Sequence, residues 1–101
     1  MKLEEIEKLD LSWDYDEGFF GKLRQGIIDK NLYREFISLL TAISFEEDEL
    51  IPRRIVSLLW YIPLFMEWQK ERVILNKFDL TEYNTLKTQI ENELERILGI
   101  P

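Results

Sequence analysis

The chain has 101 residues, of which 46% are hydrophobic and 13% aromatic, a composition typical of one folded domain with its own core. It contains neither cysteine nor histidine, which excludes disulfides, thiol nucleophiles, histidine-based triads and most transition-metal sites. The net charge of -7 disfavours nucleic acid and anionic membranes as partners and favours a basic protein, although such acidity also serves simply to keep a protein in solution.

The first residues, MKLEEIEKLD, are charged and lack the apolar core of a signal peptide, so we expect a cytoplasmic protein.

Apolar positions three residues apart predict a short amphipathic helix over residues 2–9. A second helix is predicted in WDYDEGFFGKLRQGII, where Asp14 and Glu17 have the spacing of a capping box. Three glycines in this stretch predict either close packing against a neighbour or a helix shorter than its apolar stripe, because each costs a helix about 1 kcal/mol relative to alanine.

The stretch NLYREFISLLTAI has the clearest helical spacing, with Asn31 as its predicted N-cap. An acidic connection, SFEEDELIP, follows it. Pro52 then predicts the first position of a helix that extends to about residue 75. Pro63 removes one backbone hydrogen bond from that helix and predicts a kink near Tyr61.

This helix contains SLLWYIPLFMEW, residues 57–68, with two of the three tryptophans. Apolar side chains occupy all of its sides. The uninterrupted apolar run is about a dozen residues long, however, whereas a bilayer span needs about 20. We therefore interpret it as the buried centre of the domain, wrapped by the other helices, and not as a membrane segment.

The last helix is predicted to begin at Asp79 or Thr81 and to end at Gly99, a C-cap position. No segment alternates with a two-residue period, so we predict no strands. The predicted fold is all-α, a single compact helical bundle over residues 1–101 with about four main helices and one or two short ones.

Negative charge is concentrated in residues 1–17, 46–49 and 79–101, while the two remaining stretches are net positive. An aromatic residue among acids is typical of a hot spot for a basic partner. We therefore predict two partner-binding segments: an N-terminal cluster of Trp13, Asp14, Tyr15, Asp16 and Glu17, and an acidic loop of Glu46, Glu47, Asp48 and Glu49. The alternative is that the two aromatics pack as a lid over the bundle and that both sets of acids are solvated.

Paired carboxylates in these segments are the only acid–base groups available, and a chain of this length offers little room for the cleft that a catalytic pair requires. DYDEG lacks the ligand spacing of a calcium loop, and GFFGKLRQG lacks the strand–loop–helix context of a phosphate site. We expect no enzymatic activity, no cofactor and no metal. A small enzyme with two carboxylates of raised pKa is the least favoured hypothesis.

The stretches LLWYIPLFMEWQKERV and ELERILGIP resemble the small immunity proteins encoded beside contact-dependent growth-inhibition toxins and related polymorphic toxins. The resemblance extends from WDYDEGFFGKLRQG to the C-terminus and is carried by core and tail residues. It implies a monomer that binds a cognate toxin domain, often a basic nuclease, one to one in the cytoplasm and covers its active site. The competing hypothesis is a helical adaptor or regulatory module, with an apolar groove for a partner helix along Tyr61, Leu64 and Trp68.

Overall fold

The computed structural model describes residues 3–101, which form an all-α bundle, as the sequence predicts. No strand occurs among these residues. The helices, in chain order, are α1 (Leu3–Leu11), α2 (Phe19–Leu23), α3 (Lys30–Ala42), α4 (Arg53–Trp60), α5 (Ile62–Leu75) and α6 (Leu80–Leu98). None of them is both long enough and apolar enough to cross a membrane.

The start of α3 differs from the prediction. The carboxylate of Asp29 accepts hydrogen bonds from the backbone N–H groups of Asn31 and Leu32, both at 3.0 Å, so Asp29 and not Asn31 is the N-cap. The bond from Leu32 is the main reason that the pKa of Asp29 lies below its usual value, and the nearby ammonium of Lys22 also lowers it. The fixed carboxylate therefore satisfies two backbone donors that would otherwise lack partners.

Both ends of α6 agree with the sequence. Asp79 accepts a hydrogen bond from the backbone N–H of Glu82 at 2.8 Å and so caps the first turn. Gly99 ends the helix with φ of 89°, in the left-handed region that glycine adopts without a steric cost.

The predicted kink is confirmed as a break at Tyr61, which separates α4 from α5 and places Pro63 in the first turn of α5. Pro52 lies one position earlier than predicted, as the N-cap residue of α4. The proline at the start of α5 lacks an N–H that a helix would otherwise have to satisfy, so the break costs little there.

All six helices contribute to one hydrophobic core, whose largest fully buried side chains include Phe19, Phe20 and Tyr83. The hydroxyl of Tyr83 donates a 2.8 Å hydrogen bond to the carbonyl oxygen of Met66, so the buried polar atom is satisfied. At one end of the core, the guanidinium of Arg96 donates to the carbonyl oxygens of Leu40 and Ile43 and thereby caps the end of α3.

The prediction that the helix over residues 52–75 is wrapped on all sides is wrong. One face of α4 and α5 remains exposed, including Trp60, Leu64 and Trp68. The opposite face, with Ile55, Leu59 and other side chains, is buried. The other helices cover this segment on one side only, and the aromatic residues of the other side stay in contact with solvent.

Candidate functional site

The N-terminal cluster lies in a tight turn between α1 and α2, and backbone packing holds this turn in place. A Cβ atom added at Gly21 would lie 1.7 Å from the carbonyl oxygen of Asp14, and one at Gly18 would lie 2.3 Å from that of Ser12. The backbone N–H of Phe20 also donates to Ser12 at 2.9 Å. The glycines predicted either close packing or a short helix, and the structure has both, since α2 is only five residues long.

Trp13 is half-buried and packs toward the core. Its ring stacks on Phe20 at a centroid distance of 4.6 Å and meets Phe65 edge-on at 5.0 Å. Its Nε1–H donates to the carbonyl oxygen of Leu58 at 3.3 Å. These contacts give Trp13 a packing role and link the N-terminal cluster to α4.

The other residues of this cluster face solvent. Asp14 accepts hydrogen bonds from the backbone N–H groups of Asp16 and Glu17, at 3.1 and 2.9 Å, and these bonds close a turn. The capping box predicted at Asp14 and Glu17 is wrong, because the N-cap of α2 is Gly18, which has no side chain to accept a hydrogen bond. The residues that follow form a turn, and α2 begins only at Phe19. Tyr15 is 60% exposed, so the turn presents one aromatic ring beside the carboxylates.

The acidic loop is a single exposed turn between α3 and α4. The backbone N–H of Glu46 donates to the carboxylate of Glu49, and the backbone N–H of Glu49 donates to the carbonyl oxygen of Glu46, both at 3.0 Å. Within residues 3–101, no lysine or arginine forms an ion pair with any of the four acids. The next residue, Leu50, was not singled out from the sequence, and its apolar side chain is 92% exposed.

The structure does not join the two acidic segments into one patch. Trp13 bonds to Leu58 near the end of α4, whereas the acidic loop precedes Arg53 at its start. Leu58 and Arg53 are about 7.5 Å apart along the axis of α4, at 1.5 Å per residue. A single protein partner of ordinary size can contact both segments at once.

A groove between α1 and α3, with a volume of about 720 Å³, adjoins the N-terminal cluster. We call it the acidic groove. Its floor is apolar and its rim carries charges; its lining includes Leu11, Phe19, Leu32, Phe36 and Leu39, with Glu5, Lys8, Glu17, Arg34 and Glu35 around them. Leu32 and Leu39, both on α3, are only half-buried.

A second exposed surface, the aromatic face, consists of Trp60, Tyr61, Leu64 and Trp68. Trp60 and Trp68 are 56% and 59% exposed, and their rings lie 5.5 and 5.8 Å from that of Tyr61 between them. Arg24 and Arg54 line a shallow pocket of about 390 Å³ beside this face. This surface contains the three residues that the adaptor hypothesis named.

The strongly perturbed titratable groups are tyrosines with structural contacts. Burial raises the pKa of Tyr33 to about 12, and its hydroxyl lies 2.9 Å from the carbonyl oxygen of Leu86 and 2.6 Å from the side-chain oxygen of Gln89. Burial, and secondarily the charge of Glu67, also raise the pKa of Tyr83. Neither hydroxyl lies in the acidic groove. Within the described part of the chain, no three acidic side chains are grouped as a metal-ion site.

Comparison with models of protein families, with curated proteins and with solved structures finds no match to this chain. Its function is therefore inferred from the acidic loop, the N-terminal cluster, the acidic groove and the aromatic face.

Proposed function

We propose that this protein is an immunity-type inhibitor, which binds a basic toxin domain of the nuclease type one to one in the cytoplasm and covers its active site. The observation that carries the proposal is the acidic loop, whose four carboxylates have no basic partner within residues 3–101. A nuclease needs a positive surface to attract phosphate groups. Unpaired carboxylates held in a defined turn compete for that surface and accelerate encounter with it.

The N-terminal cluster supplies a second contact to the same partner. Tyr15 is exposed next to Asp16 and Glu17, and a rigid aromatic beside charges is a frequent anchor at protein interfaces. Leu50 adds an exposed apolar side chain next to the acidic loop. Aromatic and apolar contacts of this kind slow dissociation, whereas the carboxylates mainly accelerate association.

The first test is a pull-down with the product of the adjacent upstream gene, at low and high salt. We expect the chain to capture a basic, toxic protein, and we expect high salt to weaken this binding. One equivalent of the chain should completely inhibit the nuclease activity of the captured protein. The proposal would be contradicted if salt did not affect the capture, or if the captured protein kept its nuclease activity.

Two double variants that remove the same amount of charge, one in the acidic loop and one elsewhere, test whether the acidic loop contacts the partner. We expect Glu47→Gln with Asp48→Asn to lower the association rate about threefold to tenfold at low salt, because both carboxylates are exposed and unpaired. Glu71→Gln with Glu95→Gln changes the net charge equally at exposed positions on α5 and α6. Equal effects of the two pairs would show that net charge, and not the loop, drives association.

The aromatic face favours a second candidate function, a helical adaptor without a toxin partner. Trp60, Leu64 and Trp68 lie four residues apart on one exposed side of the helices, the spacing that an apolar partner helix matches. Binding there would depend weakly on salt and would be lost in Trp68→Ala. The salt dependence of the captured complex therefore distinguishes the two functions.

A further inference from the structure

The acidic groove is large enough to hold several side chains of another protein. Its volume of about 720 Å³ lies within the range of about 300–1,000 Å³ that ligand sites occupy. Leu11, which is 55% exposed at the end of α1, forms part of one wall, and Leu32 and Leu39 lie on α3. Because these leucines are accessible, apolar side chains of a partner would remove additional apolar surface from water on binding.

The rim of the groove has an excess of unpaired negative charge. Among residues 3–101, the carboxylates of Glu5, Glu17 and Glu35 form no ion pair. The rim also carries two cations: Lys8, which pairs with Glu4 at 3.3 Å, and Arg34, whose guanidinium donates to the neutral side chain of Asn31 and keeps its full charge. A ligand that enters the groove therefore meets an apolar floor and a rim on which three unpaired carboxylates outnumber the one guanidinium that has no carboxylate partner within residues 3–101.

We propose that the acidic groove binds an amphipathic, positively charged segment of a partner protein. Its apolar side chains would cover Leu11, Leu32 and Leu39, and its lysines or arginines would pair with the rim carboxylates. An anionic ligand is disfavoured by the charge of the rim. The inference deepens the proposed function and rests on it, because it specifies which part of a basic partner the inhibitor holds.

The groove can be tested without the toxin, using a synthetic leucine–lysine peptide. The peptide places leucines at i, i+3, i+4 and i+7 on one helical face. Its control is a scrambled peptide of the same composition and charge that has no apolar face. Each is titrated into the isotopically labelled full chain at about 150 mM salt, where exposed charges are screened beyond about 8 Å. We expect at least tenfold weaker binding of the scrambled peptide, and shifts of amide resonances at Leu32 and Leu39.

Two matched variants locate the site. Leu39→Asp places a carboxylate on the floor of the groove, and Leu64→Asp makes the same change on the aromatic face. We expect Leu39→Asp to weaken peptide binding at least tenfold and Leu64→Asp to change it less than twofold. The resonance shifts of the unmodified chain give the same answer without any variant, so the test does not depend on the stability of Leu39→Asp.

Three outcomes would overturn the inference. Equal affinity of the two peptides would mean attraction by charge alone. Shifts at Trp60 and Trp68 with loss of binding in Leu64→Asp would place the site on the aromatic face. Concentration-dependent association of the free chain that Leu39→Asp abolishes would identify a second copy as the occupant.

The groove and the proposed function can fail separately. If the chain neutralises a basic toxin but the peptide does not bind the groove, the inference is wrong and the proposed function stands. If the peptide binds the groove but no basic toxin is captured, the groove stands as a site and the proposed function is wrong.

Discussion

The acidic groove and the aromatic face both expose large apolar side chains, but they differ in the charges around them. The rim of the groove carries three carboxylates and two cations, whereas Arg24 and an ion pair between Arg54 and Asp10 lie beside the aromatic face. Exposed apolar area provides affinity without selecting a partner, and the sign of the neighbouring charges discriminates between partners. One small domain therefore presents two apolar surfaces with different charged surroundings.

The two surfaces also differ in how the fold holds them. The segment beside the groove depends on backbone packing at Gly18 and Gly21 and on the inward-facing ring of Trp13. The aromatic face consists of side chains on α4 and α5, whose buried sides form the core. Mutations beside the groove should therefore affect stability, whereas mutations on the aromatic face should affect mainly binding.

The largest effect is expected from Gly21→Ala. The added Cβ atom would overlap the carbonyl oxygen of Asp14 and lie 2.7 Å from the Cα atom of Tyr15, so the turn must move away from α2. We expect the free energy of unfolding in urea to fall by about 3 kcal/mol or more. The control is Gly99→Ala, which has no atom within 4 Å of its added Cβ and only the strain of a positive φ. Gly99→Ala should lower the free energy of unfolding by about 1 kcal/mol. Similar losses in the two variants would refute the close approach at Gly21.

A smaller contrast is expected between two tryptophans, one from each region. Trp13→Ala removes ring contacts with Phe20 and Phe65 and the hydrogen bond to Leu58, so we expect a loss of about 3 kcal/mol in the free energy of unfolding. Trp68→Ala truncates a side chain that is 59% exposed and should cost less than about 1 kcal/mol. Thermal and urea unfolding of both variants measure the difference. Equal losses would mean that the aromatic face contributes to the core as much as Trp13 does.

The smallest effect concerns pH and Tyr33, which connects α3, one wall of the groove, to α6 through its hydroxyl. Burial raises the pKa of Tyr33 in the folded state to about 12, above the ordinary value of 10.0. Folding therefore favours the neutral form of Tyr33. The free energy of unfolding is unaffected by the ionisation of this group below about pH 10, and it falls as the pH rises from about 10 toward 12, because the unfolded state then ionises more readily than the folded state. Between about pH 8 and pH 11, Tyr33 alone should reduce the free energy of unfolding by about 1 kcal/mol. Tyr33→Phe should reduce the pH dependence by that amount, and an unchanged slope would contradict the burial of this hydroxyl.

Local signals in the sequence predicted most of the helices. The cap at Asp79, the break caused by Pro63 and the C-cap at Gly99 depend on backbone chemistry within a few residues, so they could be identified without tertiary contacts. The N-cap of α3 was predicted at Asn31, whereas in the structure α3 begins at Lys30 and the carboxylate of Asp29 caps it. Asp is as good an N-cap as Asn, so residue preference alone does not fix the position of the cap.

The surfaces were harder to predict, because they depend on which neighbours reach each helix. Residues 57–68 are apolar on every side, so their periodicity does not identify the side that lacks a neighbour. The acidic groove likewise depends on the distance between α1 and α3, which no local pattern encodes. Trp13 belongs to a stretch that alternates aromatic and acidic residues, and only the structure shows that Trp13 turns inward while Tyr15 stays exposed.

The hydrogen bond from Trp13 to Leu58 spans 45 positions in the chain, which has a consequence for synthesis on the ribosome. A growing chain emerges from its N-terminus, so the indole of Trp13 is made well before its acceptor carbonyl exists. Until α4 and α5 have emerged, α1 and the turn that follows it lack two of the helices against which they finally pack. The N-terminal cluster therefore reaches its final position late in translation, after more than half of the chain has been made.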